Sequence, residues 1–175
     1  MAIHPELETR RLRLRRLSTD DAHFIVALLN EPSFLENIGD RGVRTPADAQ
    51  RYLLEGPLAM YARHGFGLWH VERREDGIAV GMCGLLKRDA LPDFDLGYAY
   101  FPAFWGQGLA LEAADATLRH VHQRYGVRRV VAVVSPGNQG SIRVLEKAGM
   151  RFDRMLALHP DESEVRLYER DLRDA

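Results

Sequence analysis

Tyr98-Ala99-Tyr100-Phe101-Pro102-Ala103-Phe104-Trp105-Gly106-Gln107-Gly108-Leu109-Ala110 carries an aromatic, strand-like run into a turn with two glycines and out into an alanine-rich helix. The start of a helix presents unpaired N–H groups and a partial positive charge. Glycines at that point remove the Cβ atoms that would hold a bulky anion away from the backbone. The segment therefore reads as a seat for a phosphate-bearing ligand. A Gly-x-Gly turn by itself also suits a plain tight connection from strand to helix.

Outward from this turn the chain has no repeat and no linker. Residues 9–17 alternate, with Leu12 and Leu14 opposite Arg11, Arg13 and Arg15, as in a half-buried strand. Ser18 and Asp21 have capping-box spacing before a helical stripe of Phe24, Ile25, Leu28 and Leu29, which Pro32 is expected to stop. A loop to Arg44 follows, then Thr45-Pro46 as cap and first turn of a helix over 47–64 that kinks near Gly56-Pro57. Residues 67–73 and 78–86 read as a hairpin about Glu75-Asp76-Gly77, with a third strand at 95–101. A long helix over 108–125 precedes the valine-rich strand 127–134, which is too apolar for an exposed face. Asn138 caps a helix to Ala148, Gly149 lies just beyond, and a last hairpin spans 150–158 and 164–170. The order predicts an α/β fold: one mixed sheet with helices on its faces.

At 175 residues, 46% hydrophobic and 28% charged, the chain is expected to form one domain over 1–175 with one sizeable core. A net charge of −1 favours neither nucleic acid nor an anionic membrane. The arginines of the opening strand lack the interleaved aromatics of a nucleic-acid surface. Cys83 is the single cysteine, so a reducing, cytoplasmic setting is expected. The first six residues lack a signal-peptide layout, and no apolar run is long enough to span a bilayer. His120 and His122 are two apart on a helix and cannot share a metal, so no metal site is expected.

The turn lacks the third glycine of a dinucleotide fingerprint, because Leu111 stands there, and neither a Walker motif nor a nucleophile elbow occurs. Residues 97–113, from Gly97-Tyr98 through Gly106-Gln107-Gly108 to Ala113, instead resemble the acetyl-coenzyme A signature of the GNAT superfamily of N-acetyltransferases. They are most similar to the branch holding the ribosomal-protein serine and alanine N-acetyltransferases. Asn138, Ser141, Leu145-Glu146-Lys147 and Gly149-Met150 resemble a second motif of that branch, and residues 7–15 a third. The resemblance implies a mostly antiparallel sheet with splayed parallel central strands and helices on both faces, the acyl-CoA N-acyltransferase fold. It implies acetyl-CoA as cofactor, with the pyrophosphate on the N–H groups of Gly106, Gln107, Gly108, Leu109 and Ala110 beside Trp105. It also implies that the pantetheine arm adds as a strand against Tyr98, Tyr100 and Phe101, with Asn138 and Ser141 in contact.

Transfer of an acetyl group from a thioester to an amine needs a base, an oxyanion partner and an acid for the thiolate, but no covalent enzyme intermediate. Cys83 is then not needed and reads as a buried strand residue. The tyrosine acid common in the family is replaced by Leu145, and the resemblance offers Ser141 as acid. Asp95, before Gly97-Tyr98, is the candidate base, with His70 or a water chain as alternatives. Glu112 reads as support for the helix start. Arg143 and Lys147 share a helix face that either meets cofactor phosphates or is solvated. The expected partner is an amine, a protein N-terminus or a small molecule, with walls from residues 31–44 and near Pro57. The family often forms homodimers, and this sequence specifies no surface for one. Two other readings remain open: a coenzyme A-binding module without transferase activity, and a domain whose glycine turn is purely structural.

Overall fold

The computed structural model describes residues 5–174. Residues 1–4, on which the leader expectation partly rests, lie outside the described residues. In chain order the elements are β1 (Leu7–Glu8), β2 (Leu12–Arg16), α1 (Ala22–Leu29), α2 (Pro32–Asn37), α3 (Pro46–Glu55), α4 (Pro57–His64), β3 (Leu68–Arg73), β4 (Ala79–Leu86), β5 (Phe94–Tyr100), α5 (Leu109–Tyr125), β6 (Arg129–Val134), α6 (Gln139–Lys147), β7 (Arg151–Leu156) and β8 (Val165–Asp171). The strands form one eight-stranded sheet in the order β1-β2-β3-β4-β5-β6-β8-β7. Every pairing is antiparallel except β5 with β6.

The two faces of the sheet are covered by different helices. Leu96 and Tyr100 of β5 share a buried cluster with Leu109, Ala113, Leu118 and Val121 of α5 and with Ile142 and Leu145 of α6. Ala99 of β5 and Met82 of β4 point to the other face, beneath Ile25, Leu28, Phe34, Ala49 and Leu53 of α1–α3. The alternation of strand side chains thus sorts neighbouring residues of β5 into two cores.

Local chemistry accounts for the helix boundaries. Thr45 Oγ1 accepts the Asp48 N–H (3.1 Å) and Asp48 returns the bond to the Thr45 N–H (3.0 Å), closing a capping box. At Gly56-Pro57 the expected kink is a full break between α3 and α4, since the proline opens a new helix. Pro32 corrects the sequence reading. It does not end α1, which already stops at Asn30, whose amide donates to Val26 O (2.7 Å) and Val43 O (2.8 Å). Instead Pro32 starts α2, inside the segment expected to be a loop. Residues 7–8 form a further short strand folded back on β2, with Leu7 opposite Leu14. The opening arginines lie among carboxylates: Arg13 pairs with Glu8 (2.8 Å) and Glu72 (2.9 Å), and Arg15 with Asp21 (2.8 Å). No helix among the described residues is long and apolar enough to cross a membrane.

Candidate active site

β5 and β6 are hydrogen-bonded neighbours over only two residue pairs, Phe94 with Val130 and Asp95 with Val131, and then diverge. The flanking ladders show which backbone groups face the opening. The Phe101 N–H donates to Val80 O (3.0 Å), so Phe101, Ala99 and Gly97 bond toward β4 while Tyr98 and Tyr100 direct their backbone groups into the gap. On the far side the Leu172 N–H donates to Arg128 O (2.7 Å), and the same alternation turns Val133 toward the gap. The expectation for Phe101 is corrected here: its amide is already committed to β4. The Tyr100 carbonyl is also engaged, accepting from Trp105 Nε1 (3.0 Å).

Beyond β5 the glycine turn takes the shape its sequence requires. Gly106 and Gly108 have φ of 73° and 77°, in the left-handed region that side chains disfavour. A Cβ on Gly106 would meet nothing within 4 Å, so the space above the turn is open. No side chain caps α5, whose first N–H groups follow Gly108 directly. Leu109 is buried and contributes only backbone to the opening, whereas the Trp105 ring is about half exposed at its rim.

Glu112, in the first turn of α5, holds this turn against the start of the chain. Its Oε1 accepts from Thr9 Oγ1 (2.6 Å) and the Arg11 N–H (2.9 Å), and its Oε2 from Arg11 Nε (2.6 Å). Arg11 Nη1 then donates to the Gln107 carbonyl (2.7 Å). Burial would raise the Glu112 pKa, but the bonds from Thr9 and Arg11 outweigh it and hold the carboxyl below its usual range.

Gap, turn and the start of α6 line one cleft of about 1190 Å³. The Asn138 side chain accepts the Ser141 N–H (3.2 Å), which caps α6 and sets Ser141 in its first turn. Ser141 Oγ lies 2.7 Å from the Tyr98 hydroxyl, a contact between β5 and α6 that sequence reasoning did not foresee. Asp95 is buried at the fork where β5 and β6 part and lines the cleft. Its Oδ2 accepts from Arg88, while Oδ1 has no partner among the described residues. Burial pushes its pKa up, and Arg88 and the Val133 N–H oppose that rise without cancelling it. Arg88 was not singled out from the sequence. Only the β4–β5 register, with Leu86 opposite Asp95, brings it there.

On the α1–α3 side the cleft is walled by Glu31, Phe34, Asn37, Arg41, Tyr52 and Pro57, the segments expected to face an acceptor. Ser135 Oγ donates to Asn37 O (3.1 Å) and ties α2 across to the β6–α6 connection. Arg143 and Lys147 also line the cleft. Cys83 is fully buried beside Thr117, and burial pushes its thiol up to about 11. His70 stands apart from the cleft, under α1 against Phe24 (4.7 Å between ring centroids).

Residues 11–151 match the profile described as an acetyltransferase (GNAT) domain. The chain belongs to the GNAT acetyltransferase family. A Bacillus subtilis protein described as the uncharacterized N-acetyltransferase YoaA is 28% identical over 155 residues, covering 87% of this chain and 86% of that protein. A crystal structure of an acetyltransferase from Agrobacterium tumefaciens superposes with a TM-score of 0.80 at 25% identity, covering 97% of this chain and 95% of that one. RimL, a ribosomal L7/L12 α-N-protein acetyltransferase solved with coenzyme A, shares the fold at TM-score 0.80 and 17% identity, covering 96% and 98%. The mostly antiparallel sheet with a parallel pair and helices on both faces is thus the GNAT fold.

Two predictions follow from these contacts. Glu112→Ala frees Thr9 and Arg11 together and is expected to cost about 1–3 kcal/mol of stability in urea denaturation, with weaker coenzyme A binding by calorimetry because the Gln107 carbonyl loses its anchor. His70 has its pKa lowered from 6.5 to about 4, first by burial and then by Arg15, with Asp21 and Glu72 opposing. Between those values the unfolded chain binds the extra proton, so stability falls as pH drops from 6.5 to 4, by up to about 3 kcal/mol. His70→Leu is expected to flatten that part of the pH–stability curve; an unchanged slope would remove the assignment.

Proposed function

We propose that this protein is an acetyl-CoA-dependent N-acetyltransferase that moves an acetyl group onto a primary amine, of a protein N-terminus or a small molecule, by direct attack on the thioester. The observation that carries the reading is the continuity of three open features: an uncapped helix start behind a glycine turn, an unpaired strand edge, and a buried carboxylate with a free oxygen.

The residues present fit the cofactor. The N–H groups from Gly106 to Ala110 are aimed donors at the positive end of α5, which suits a pyrophosphate. The backbone of Tyr98 and the Tyr100 N–H, facing Val133 across the gap, suit the amides of a pantetheine arm added as a strand. When bound, acetyl-CoA supplies the activated acetyl group and a thiolate leaving group. Asn138 would serve both as helix cap and as a contact for the arm. Asp95 is assigned as base. Its Oδ1 accepts no hydrogen bond among the described residues, and burial raises its pKa toward that of an amine proton, with Arg88 and the Val133 N–H opposing that rise. Ser141 is assigned as the acid toward the sulfur, since Leu145 occupies the place of the family tyrosine and is buried. Glu31, Phe34, Tyr52 and Pro57 would hold the acceptor. A single buried thiol suits a reducing cytoplasm.

Purified protein incubated with acetyl-CoA and a panel of amines and N-terminal peptides should release free thiol and add one acetyl mass to an acceptor. Binding of coenzyme A with no release under any acceptor would instead favour a binding module. Asp95→Asn is expected to lower turnover about 100-fold or more with coenzyme A affinity unchanged. Its melting temperature should not fall, because the change removes a charge that burial disfavours.

A further inference from the structure

Tyr98 entered the sequence reading only through its backbone. Its side chain does more. The phenol projects from β5 toward α6, where its oxygen lies 2.7 Å from Ser141 Oγ and 3.2 Å from the Ser141 carbonyl. Each hydroxyl carries one proton, so the 2.7 Å contact runs in one of two directions. In one, Tyr98 donates to the carbonyl and Ser141 spends its proton on Tyr98. In the other, Tyr98 donates to Ser141 Oγ and the serine proton is free to point elsewhere. The shorter contact is the one to Oγ. The carbonyl belongs to the first turn of α6, where the helix ladder already supplies a donor. Both observations favour the second arrangement.

We propose that the Tyr98 hydroxyl is a positioning group that donates to Ser141 Oγ and so aims the serine proton at the sulfur of coenzyme A. This rests on the assignment of Ser141 given above and adds to it a second hydroxyl from a different element. Tyr98 is well placed for the task. It is fixed on a central strand and packs beside Tyr100 (6.3 Å between ring centroids). Burial also pushes its pKa upward, so the phenol keeps its proton and remains a donor across the working range of pH. As charge develops on the sulfur, a serine hydroxyl that itself accepts a hydrogen bond becomes the stronger donor.

The test is the ionisation of the thiol of coenzyme A bound to the intact protein, followed by the ultraviolet absorbance of the thiolate, with binding measured in parallel by calorimetry. Tyr98→Phe keeps the ring and removes the hydroxyl. It should raise the pKa of the bound thiol by about one pH unit, a tenfold change in the ionisation constant, without altering affinity for the protonated cofactor. It should add nothing further in a Ser141→Ala background. Ser141→Thr, which retains a hydroxyl, should keep the wild-type value only while Tyr98 is present. If Ser141→Ala raises the thiol pKa but Tyr98→Phe does not, or if the two effects simply add, the role of Tyr98 is overturned and that of Ser141 stands. If coenzyme A binds but Ser141→Ala has no effect, the serine assignment fails and takes the proposal with it.

Discussion

A β-sheet that stops pairing in its own interior leaves backbone groups that must find partners, and the parting of β5 and β6 after Asp95 is the constraint around which this molecule is arranged. An unpaired buried N–H or C=O costs free energy comparable to a lost hydrogen bond. Here the cost is limited in part by the protein: Trp105 covers the Tyr100 carbonyl, and the Val133 N–H faces the Asp95 carboxylate. What remains open is a strip of backbone donors and acceptors on Tyr98, the Tyr100 N–H and Val133, which line the cleft. A ligand with amides of its own satisfies such a strip better than water confined to a narrow slot. The gap also lies between two strands of the sheet, so it does not offer a long flat edge to another protein.

The same fork explains why the surrounding helices are placed as they are. Eight residues, with the glycine turn at their end, lead from β5 to α5, and both the unpaired part of β5 and the start of α5 line the same cleft. Glu112 then sets the pose of that start. It is acidic in the first turn, where the dipole favours it, yet it turns away from the opening to bind Thr9 and Arg11. The negative charge is thereby paired with Arg11, and Glu112 is not among the residues that line the cleft. Arg11 relays the restraint to Gln107, inside the turn itself. Residues about a hundred positions apart in the chain thus hold the glycine turn, in addition to the turn's own bond from Gln107 Nε2 to Ala103 O.

Much of this was legible in the sequence where the signal is local. The glycine pair, the Thr45 and Asn138 caps, the hairpin around Glu75-Asp76-Gly77 and the valine-rich strand each carry their cause within a few residues. Pro32 was misread because proline is compatible both with the end of one helix and with the first turn of the next, and the deciding residue, Asn30, acts through a bond to Val43 thirteen positions away. The site divided in the same way. The glycine turn before α5 was visible as a motif. The partners of the candidate residues were not, because Arg88 beside Asp95, Tyr98 beside Ser141 and the commitment of the Phe101 amide to Val80 all depend on strand register or on where a helix docks. Register is a property of the assembled sheet, and a single sequence shows it only through its alternation.

Asp95 shows stability and chemistry pulling against each other at the fork. A carboxylate this deep is disfavoured by burial, and one counter-ion on one oxygen leaves half of its accepting capacity unused. A structure selected for stability alone would place an apolar side chain there, as it does at Ala99, two residues beyond Gly97 on the same face of β5. Retaining the charge is intelligible if its free oxygen has work to do once the cleft is filled. Arg88 then sets the balance. Burial favours the neutral carboxyl and the guanidinium favours the carboxylate, and a second cation on Oδ1 would lower the pKa further. One arginine, partly exposed and bonded to one oxygen, opposes the effect of burial without cancelling it, so the carboxyl stays raised in pKa while Oδ1 accepts no hydrogen bond among the described residues.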